Sequence, residues 1–299
     1  MLLVLAATLA IQALPCACKV GDCARLDFLP KNPWICVRPE RQDVHVVRAI
    51  KHNGLWERHI VRDVYAALSE DPTTLFLDVG AHIGQYTIIA ASSGFPVVAF
   101  EPNPDNCAYL KSSLAVNKIA HRVALVPHPT LDTPGVLSGF RNDQTPKDNV
   151  GGWAIRPDSR GALVSTTIDS EVLKLERRDY SSIVMKIDIE GSEPQALAGA
   201  ARTLKRVRAI FMEWGTGGDA KREMARNLAQ MGLCVTDRDC LRTDFQSCPW
   251  DIQFSRDCAR GGQYAIWIVI ATCALCTGGG VFAAQSYTRS RPNTFWIVP

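Results

Sequence analysis

The chain has 299 residues, of which 47% are hydrophobic and 21% charged, and its formal net charge is +3. Those proportions exclude a disordered or fibrous chain and allow one α/β domain of ordinary size with terminal extensions. The small net charge and the lack of any Lys/Arg run leave no electrostatic footprint for nucleic acid.

The chain opens with an apolar stretch, Leu2 to Leu14, followed by small residues through Ala17. This reads as the apolar region and cleavage zone of a signal peptide, although a basic start is missing and Pro15 suits cleavage poorly. At 1.5 Å per residue the stretch makes a helix of roughly 20 Å, too short to span a bilayer. Of the eleven cysteines, two groups lie outside the expected core: Cys16, Cys18, Cys23 and Cys36, then Cys234, Cys240, Cys248 and Cys258. Neither group has zinc-site spacing, so disulfides in an oxidising compartment stand against a set of reduced, partly buried thiols. Cys273 and Cys276 fall inside an apolar run, where a redox role is not expected.

Trp56, Ile60, Val61, Val64, Tyr65 and Leu68 recur at spacings of three and four, which predicts an amphipathic helix ended by Asp71-Pro72. Strands follow at 74–79, 96–100 and 123–126, separated by helices over 84–92 and 104–117, with Pro104 suited to a first helical turn. Residues 128–162 are rich in Pro, Gly, Asn and Asp and read as irregular. A loop of that length inside a compact domain is usually functional or disordered. A short segment at 163–167 leads into a helix through Leu175, then a strand at 182–188, a helix over 192–205 and a strand at 209–213. A helix near 221–231 and two closing strands at 233–236 and 251–254 complete the domain. Strands alternating with helices predict an α/β fold with a doubly wound, mostly parallel sheet, whose ligands bind beyond the carboxyl ends of the strands. Tyr264 to Ala284 carries no charge and as a helix measures roughly 31 Å, enough to cross a membrane. Gly278-Gly279-Gly280 weakens that helix, so a buried strand with a linker remains the alternative.

Three places carry chemistry. Asp78-Val79-Gly80-Ala81-His82-Ile83-Gly84 is a strand-to-helix turn with G-x-x-x-G rather than the G-x-G-x-x-G of dinucleotide sites, which suits a ligand with one small anionic end. Glu101 closes the second core strand, 21 positions after Gly80, where nucleotide binders hold a ribose diol. Asn103, just beyond it, is a candidate contact on the adenine side or simply a turn residue. Lys186, Asp188 and Glu190 alternate with isoleucines, which puts three charges on one side of an extended chain. They form either a site or a structural ion pair, and Glu213 at the end of the next strand faces the same crevice.

Taken together, LFLDVGAHIGQYT, VVAFEPNP, STTIDSEV, VMKIDIEGSEPQALAGA and IFMEWG closely resemble the FkbM family of methyltransferases. The resemblance implies a seven-stranded class I methyltransferase fold, Rossmann-like, that binds S-adenosylmethionine and methylates a hydroxyl on a sugar or small metabolite. By position it implies Asp78, Gly80 and Gly84 at the methionine end, Glu101 at the ribose, and Asp188 and Glu190 near the transferred methyl. His82 stands where the family often has Asn, and is either neutral there or an added titratable group beside the cofactor. Asp188 is expected to be the base, supported by Glu190 or by His128 at the start of the long insert, and no residue is assigned to a metal. Asn149 to Trp153 within the insert is a candidate lid over the acceptor. The corresponding division is a signal-like, cysteine-containing segment 1–42, a methyltransferase domain 43–258, and a tail 259–299 with a candidate transmembrane helix at 264–284. The ends favour a membrane-associated protein of the secretory pathway, with a cytoplasmic enzyme as the alternative. A nucleotide-sugar or NAD-dependent enzyme and a membrane-tethered non-catalytic protein are the rival functions.

Overall fold

The computed structural model describes residues 18–28, 31–141, 149–175, 180–214, 219–236 and 251–257. Its centre is a seven-stranded sheet made of β3 (Leu75–Val79), β4 (Val97–Phe100), β5 (Val123–Val126), β9 (Ile183–Ile187), β10 (Val207–Glu213), β11 (Cys234–Val235) and β12 (Asp251–Ser255). The spatial order is β11-β12-β10-β9-β3-β4-β5. All pairings from β10 to β5 are parallel, and only β12 runs antiparallel to its two neighbours. The order reverses between β3 and β9, so the ligand crevice of such a sheet is expected above that pair.

β3 and β9 are buried at every position and are strongly apolar, the pattern of strands covered on both faces. Alternate side chains divide between two cores. Leu75, Leu77, Met185 and Ile187 pack with Ile168, Ala196, Met224 and Leu228, carried by α5 (Ile168–Leu173), α6 (Glu193–Ala198) and α7 (Asp219–Gln230). Phe76, Val97, Val184 and Phe211 pack with Ile50, Val61, Ile88 and Leu110. Those four come from α1 (Val46–Asn53), α2 (Arg58–Ser69), α3 (Gln85–Ser92) and α4 (Pro104–Val116).

Two regions differ from the sequence reading. The stretch before α1 is not a separate appendage: β1 (Asp22–Arg25) and β2 (Trp34–Val37) form an antiparallel hairpin laid on α4. Cys36 N–H donates to Ser113 Oγ at 2.8 Å, and Trp34 exchanges two hydrogen bonds with the Asn117 amide at 2.9 and 2.6 Å. Cys18 and Cys36 are joined by a disulfide, Cys23 and Cys234 are each disulfide-bonded as well, and Cys107 is a buried free thiol. The second region is the insert, which is not irregular. β6 (Leu137–Arg141) pairs antiparallel with both β7 (Ala154–Pro157) and β8 (Leu163–Val164) in a small three-stranded sheet. Its strands are too short to show alternation, and Gly161 passes so close that a Cβ there would lie 2.0 Å from Ser138 O.

Among the described residues no helix is long and apolar enough to cross a membrane. The signal-like stretch 2–14, the candidate span 264–284, and Cys240, Cys248 and Cys258 lie outside the described residues.

Candidate active site

A cavity of about 640 Å³ opens at the carboxyl ends of β3, β4, β9 and β10, above the reversal in strand order. Its floor is the turn between β3 and α3. Gly80 has φ +90°, and a Cβ there would lie 1.9 Å from Asp188 O, so only glycine lets the two strand ends meet. Gly84 has φ +95° and packs on α4, where a Cβ would fall 2.3 Å from Leu110 Cδ1. It therefore fixes the helix packing and does not line the cavity, unlike the expectation that it contacts a ligand.

Asp78 also stands behind the turn. Its Oδ2 accepts from the Thr87 N–H at 3.0 Å and the Thr87 hydroxyl at 2.6 Å, which ties α3 to β3. Burial pushes its carboxyl above the usual carboxylate range. Asp78 does not border the cavity: its Oδ2 braces the turn, and its Oδ1 has no hydrogen-bond partner.

Glu101 does line the cavity and is 5% exposed. Its Oε2 accepts from His82 N–H at 2.7 Å, and its Oε1 from Asn103 N–H at 2.8 Å and Asn106 Nδ2 at 3.1 Å. Two carboxylate oxygens offer about four acceptor positions, and three are taken, so one remains, on Oε2, for a hydroxyl donor. Burial raises its carboxyl to about 7 despite those donors. Asn103 lines the cavity and caps α4, its Oδ1 accepting from Asp105 N–H at 2.9 Å. His82 lines the cavity in a left-handed conformation, φ 51°, and burial lowers its imidazole to about 4, which keeps it neutral.

The acids converge on the other side of the crevice. Lys186, in register with Asp78 across the β3–β9 pair, donates to Asp188 Oδ2 at 2.7 Å and lies 4.8 Å from the Tyr86 ring centre. Burial opposes the Lys186 cation, but Asp188, Glu57 and Asp78 outweigh it and hold the ammonium above its ordinary range. Burial likewise opposes the Asp188 anion, and Lys186 overcomes this and keeps its carboxyl below the usual value. Glu190 is raised to about 7 by burial and by Asp188, and Glu213 to about 9 by burial, Asp188 and Glu190. Carboxylate oxygens of Asp188, Glu190 and Glu213 all lie within 4.8 Å of one another. Near neutral pH the group thus holds one ion pair, one half-ionised acid and one protonated acid, rather than three full charges.

Glu57 and Tyr86 complete this wall, with the Tyr86 hydroxyl donating to Glu57 Oε2 at 2.9 Å. Nothing in the sequence pattern separates them from ordinary helix-terminal residues. The opposite wall comes from the insert: Phe140 and Trp153, edge to face at 5.9 Å, with Asn149, Gly151 and Gly152. The segment expected as a lid is therefore part of the cavity.

His128 is not. It is exposed, its Nδ1 lies 3.0 Å from Val164 O, and it borders an adjoining cleft of about 20 Å³ that shares Gly80, Pro102, Ile155 and Ile189 with the cavity. It follows β5, three strands from β9, and is not among the acids that converge there.

A doubly wound sheet with one reversed strand, a glycine turn after β3 and a buried acid after β4 define a class I methyltransferase. The model of the methyltransferase FkbM domain matches residues 78–233, and the chain belongs to that family of S-adenosylmethionine-dependent methyltransferases. A hexuronic acid methyltransferase, AglP, of Haloferax volcanii is 25% identical over 167 residues, covering 55% of this chain and 65% of its own length. The chain thus spans less than two thirds of that relative. Among solved structures, a SAM-dependent methyltransferase from Agrobacterium tumefaciens shares 10% identity at a TM-score of 0.42, covering 80% of this chain and 71% of that one. An rRNA methylase from Streptococcus thermophilus shares 14% identity at a TM-score of 0.38, covering 66% of this chain and 95% of that one. These likenesses are distant, and the fold rests on the strand order itself.

Proposed function

We propose that this enzyme methylates a hydroxyl oxygen of a sugar or other small acceptor. The observation that carries the reading is the convergence in one cavity of Glu101 with Asp188, Glu190 and Glu213. The residues fit S-adenosylmethionine: Glu101 keeps an acceptor position for a ribose hydroxyl, Gly80 leaves room at the turn, and a cavity of about 640 Å³ suits a ligand of this size. When bound, the cofactor supplies an electrophilic methyl group on a cationic sulfur.

The chain's own residues do the rest. Glu101 accepts from a ribose hydroxyl, with Asn103 and His82 beside it. Asp188, pinned by Lys186, stays ionised and favours positive charge at that end of the cavity. Its tie to the ammonium makes it a weak base, so the proton of the acceptor hydroxyl goes to Glu190, whose carboxyl near 7 matches general-base work at neutral pH. Orientation between the two walls supplies much of the rate, since in-line displacement depends on alignment. Similarity to a hexuronic acid methyltransferase supports a sugar acceptor. The disulfides support an oxidising compartment of the secretory pathway.

The test is transfer of labelled methyl from S-adenosylmethionine to a panel of hydroxylated sugars, glycosides and uronic acids, using the full chain. Label on an ether oxygen supports the reading. Label found only as a methyl ester would replace hydroxyl acceptors with carboxylates.

A further inference from the structure

One of the three donors that hold Glu101 is itself gripped from outside the sheet, and a second is packed against a buried carboxylate. Arg38 donates through its Nη2 to Oδ1 of Asn106, whose Nδ2 faces Glu101 Oε1 at 3.1 Å. Asp43 Oδ2 lies 3.3 Å from Nε2 of His82, off hydrogen-bond alignment, and His82 N–H serves Glu101 Oε2 at 2.7 Å. Arg38 and Asp43 sit six positions or fewer after β2, outside the stretch 78–233 that matches the family. They are 3% and 0% exposed, and neither borders the cavity.

A structural role alone explains this arrangement poorly. Burying a guanidinium and a carboxylate is unfavourable unless both are fully hydrogen-bonded, yet Arg38 Nε and Asp43 Oδ2 have no hydrogen-bond partner. Apolar side chains would join this segment to α4 at lower cost. What the charged pair adds is orientation. An amide can present either its oxygen or its nitrogen, and the Arg38 donor at Oδ1 of Asn106 leaves only Nδ2 to face Glu101. Without it, an amide flip would set oxygen against carboxylate. Asp43 also accepts from Val46 N–H at 2.9 Å at the start of α1, so its position beside His82 is anchored to a helix.

We infer that Arg38 is a positioning residue for the ribose end of the cofactor site, fixing the Asn106 amide against Glu101 Oε1, with Asp43 packed against the His82 ring on the Oε2 side. The inference rests on the cofactor reading above. It is tested by calorimetric titration of the full chain with S-adenosylhomocysteine, comparing Arg38→Met, Arg38→Lys and Asp43→Asn, each alone and combined with Glu101→Gln. Ligand-free melting temperatures are taken in parallel. Arg38→Met is expected to weaken binding about tenfold, an effect that shrinks to within about twofold when Glu101 is already Gln, because coupled residues do not add. Arg38→Lys is expected to recover most of the loss. If Arg38→Met fails to fold, Arg38→Gln carries the same cycle. Equal losses in both backgrounds, or no rescue by lysine, would overturn the clamp while leaving cofactor binding standing. A wild-type protein that binds no S-adenosylhomocysteine would remove the cofactor reading and the clamp with it.

Discussion

Glu101→Gln separates what this residue does for the ligand from what it does to the fold. In the folded chain its carboxyl is raised from 4.5 to about 7, chiefly by burial. A raised acid holds a proton that the unfolded chain has released, so stability falls as pH climbs from about 4.5 to 7 and then levels off. At about 1.4 kcal/mol per pH unit the loss is about 3 kcal/mol. Glutamine does not titrate. Over that window the variant should gain about 3 kcal/mol on the wild type, roughly 5–10 °C in melting temperature for a domain of this size. It also starts lower: His82 N–H and Asn103 N–H bond to different oxygens, and an amide can serve only one of them, at a cost of about 1–3 kcal/mol. Ligand binding should move the other way. The hydroxyl bond to an ionised acceptor weakens, so S-adenosylhomocysteine should bind at least about tenfold more weakly, and wild-type binding should strengthen as pH rises through 7. Melts from pH 5 to 9 and calorimetry at the same values measure both. A variant that binds within about twofold of wild type, or whose melting difference from wild type does not change with pH, refutes the reasoning.

Three further outcomes are expected. Gly80→Ala should destabilise the protein by roughly 2–4 kcal/mol, read by denaturant unfolding, because a Cβ meets Asp188 O at 1.9 Å at a backbone angle alanine avoids. Glu190→Gln should keep cofactor affinity within about threefold and lose turnover about 100-fold or more, erasing the rise in rate near pH 7. Asp188→Asn should instead cost roughly 2–4 kcal/mol of stability by leaving buried Lys186 unpaired, a figure already reduced for the 29% exposure of the Asp188 side chain. Equal retention of turnover in both variants would remove the acid cluster from the chemistry.

The sheet was legible because its strands are short apolar runs punctuated by glycine and proline, and the seven strands lie where those runs predict them. The ends of β3, β4 and β9 were legible for the same reason: a charge that interrupts an apolar run at its carboxyl end must lie where such sheets bind ligands. Spacing alone does not say which way a side chain turns. Asp78 and Gly84 belong to the turn but face Thr87 and Leu110, and only the packing of α3 and α4 decides that. His128 follows a strand, as the other site residues do, yet strand order rather than chain order sets its distance from the acids. The insert hid its sheet because β8 has only two residues and β6 carries a glycine among its polar positions. Arg38 and Asp43 lie in a stretch with no periodicity, and their meaning comes from α4 and the turn they meet, far along the chain.

The two walls of the cavity have different architectural debts. Gly80, Glu101 and Asp188 sit on strands locked by neighbours on both sides, so any shift there disturbs the whole sheet. Phe140 and Trp153 hang from an excursion that leaves after β5, returns before α5 and lends no strand to the main sheet. Descendants of this chain can therefore recut one side of the chamber while the other stays fixed, which is a route to new customers for an unchanged donor.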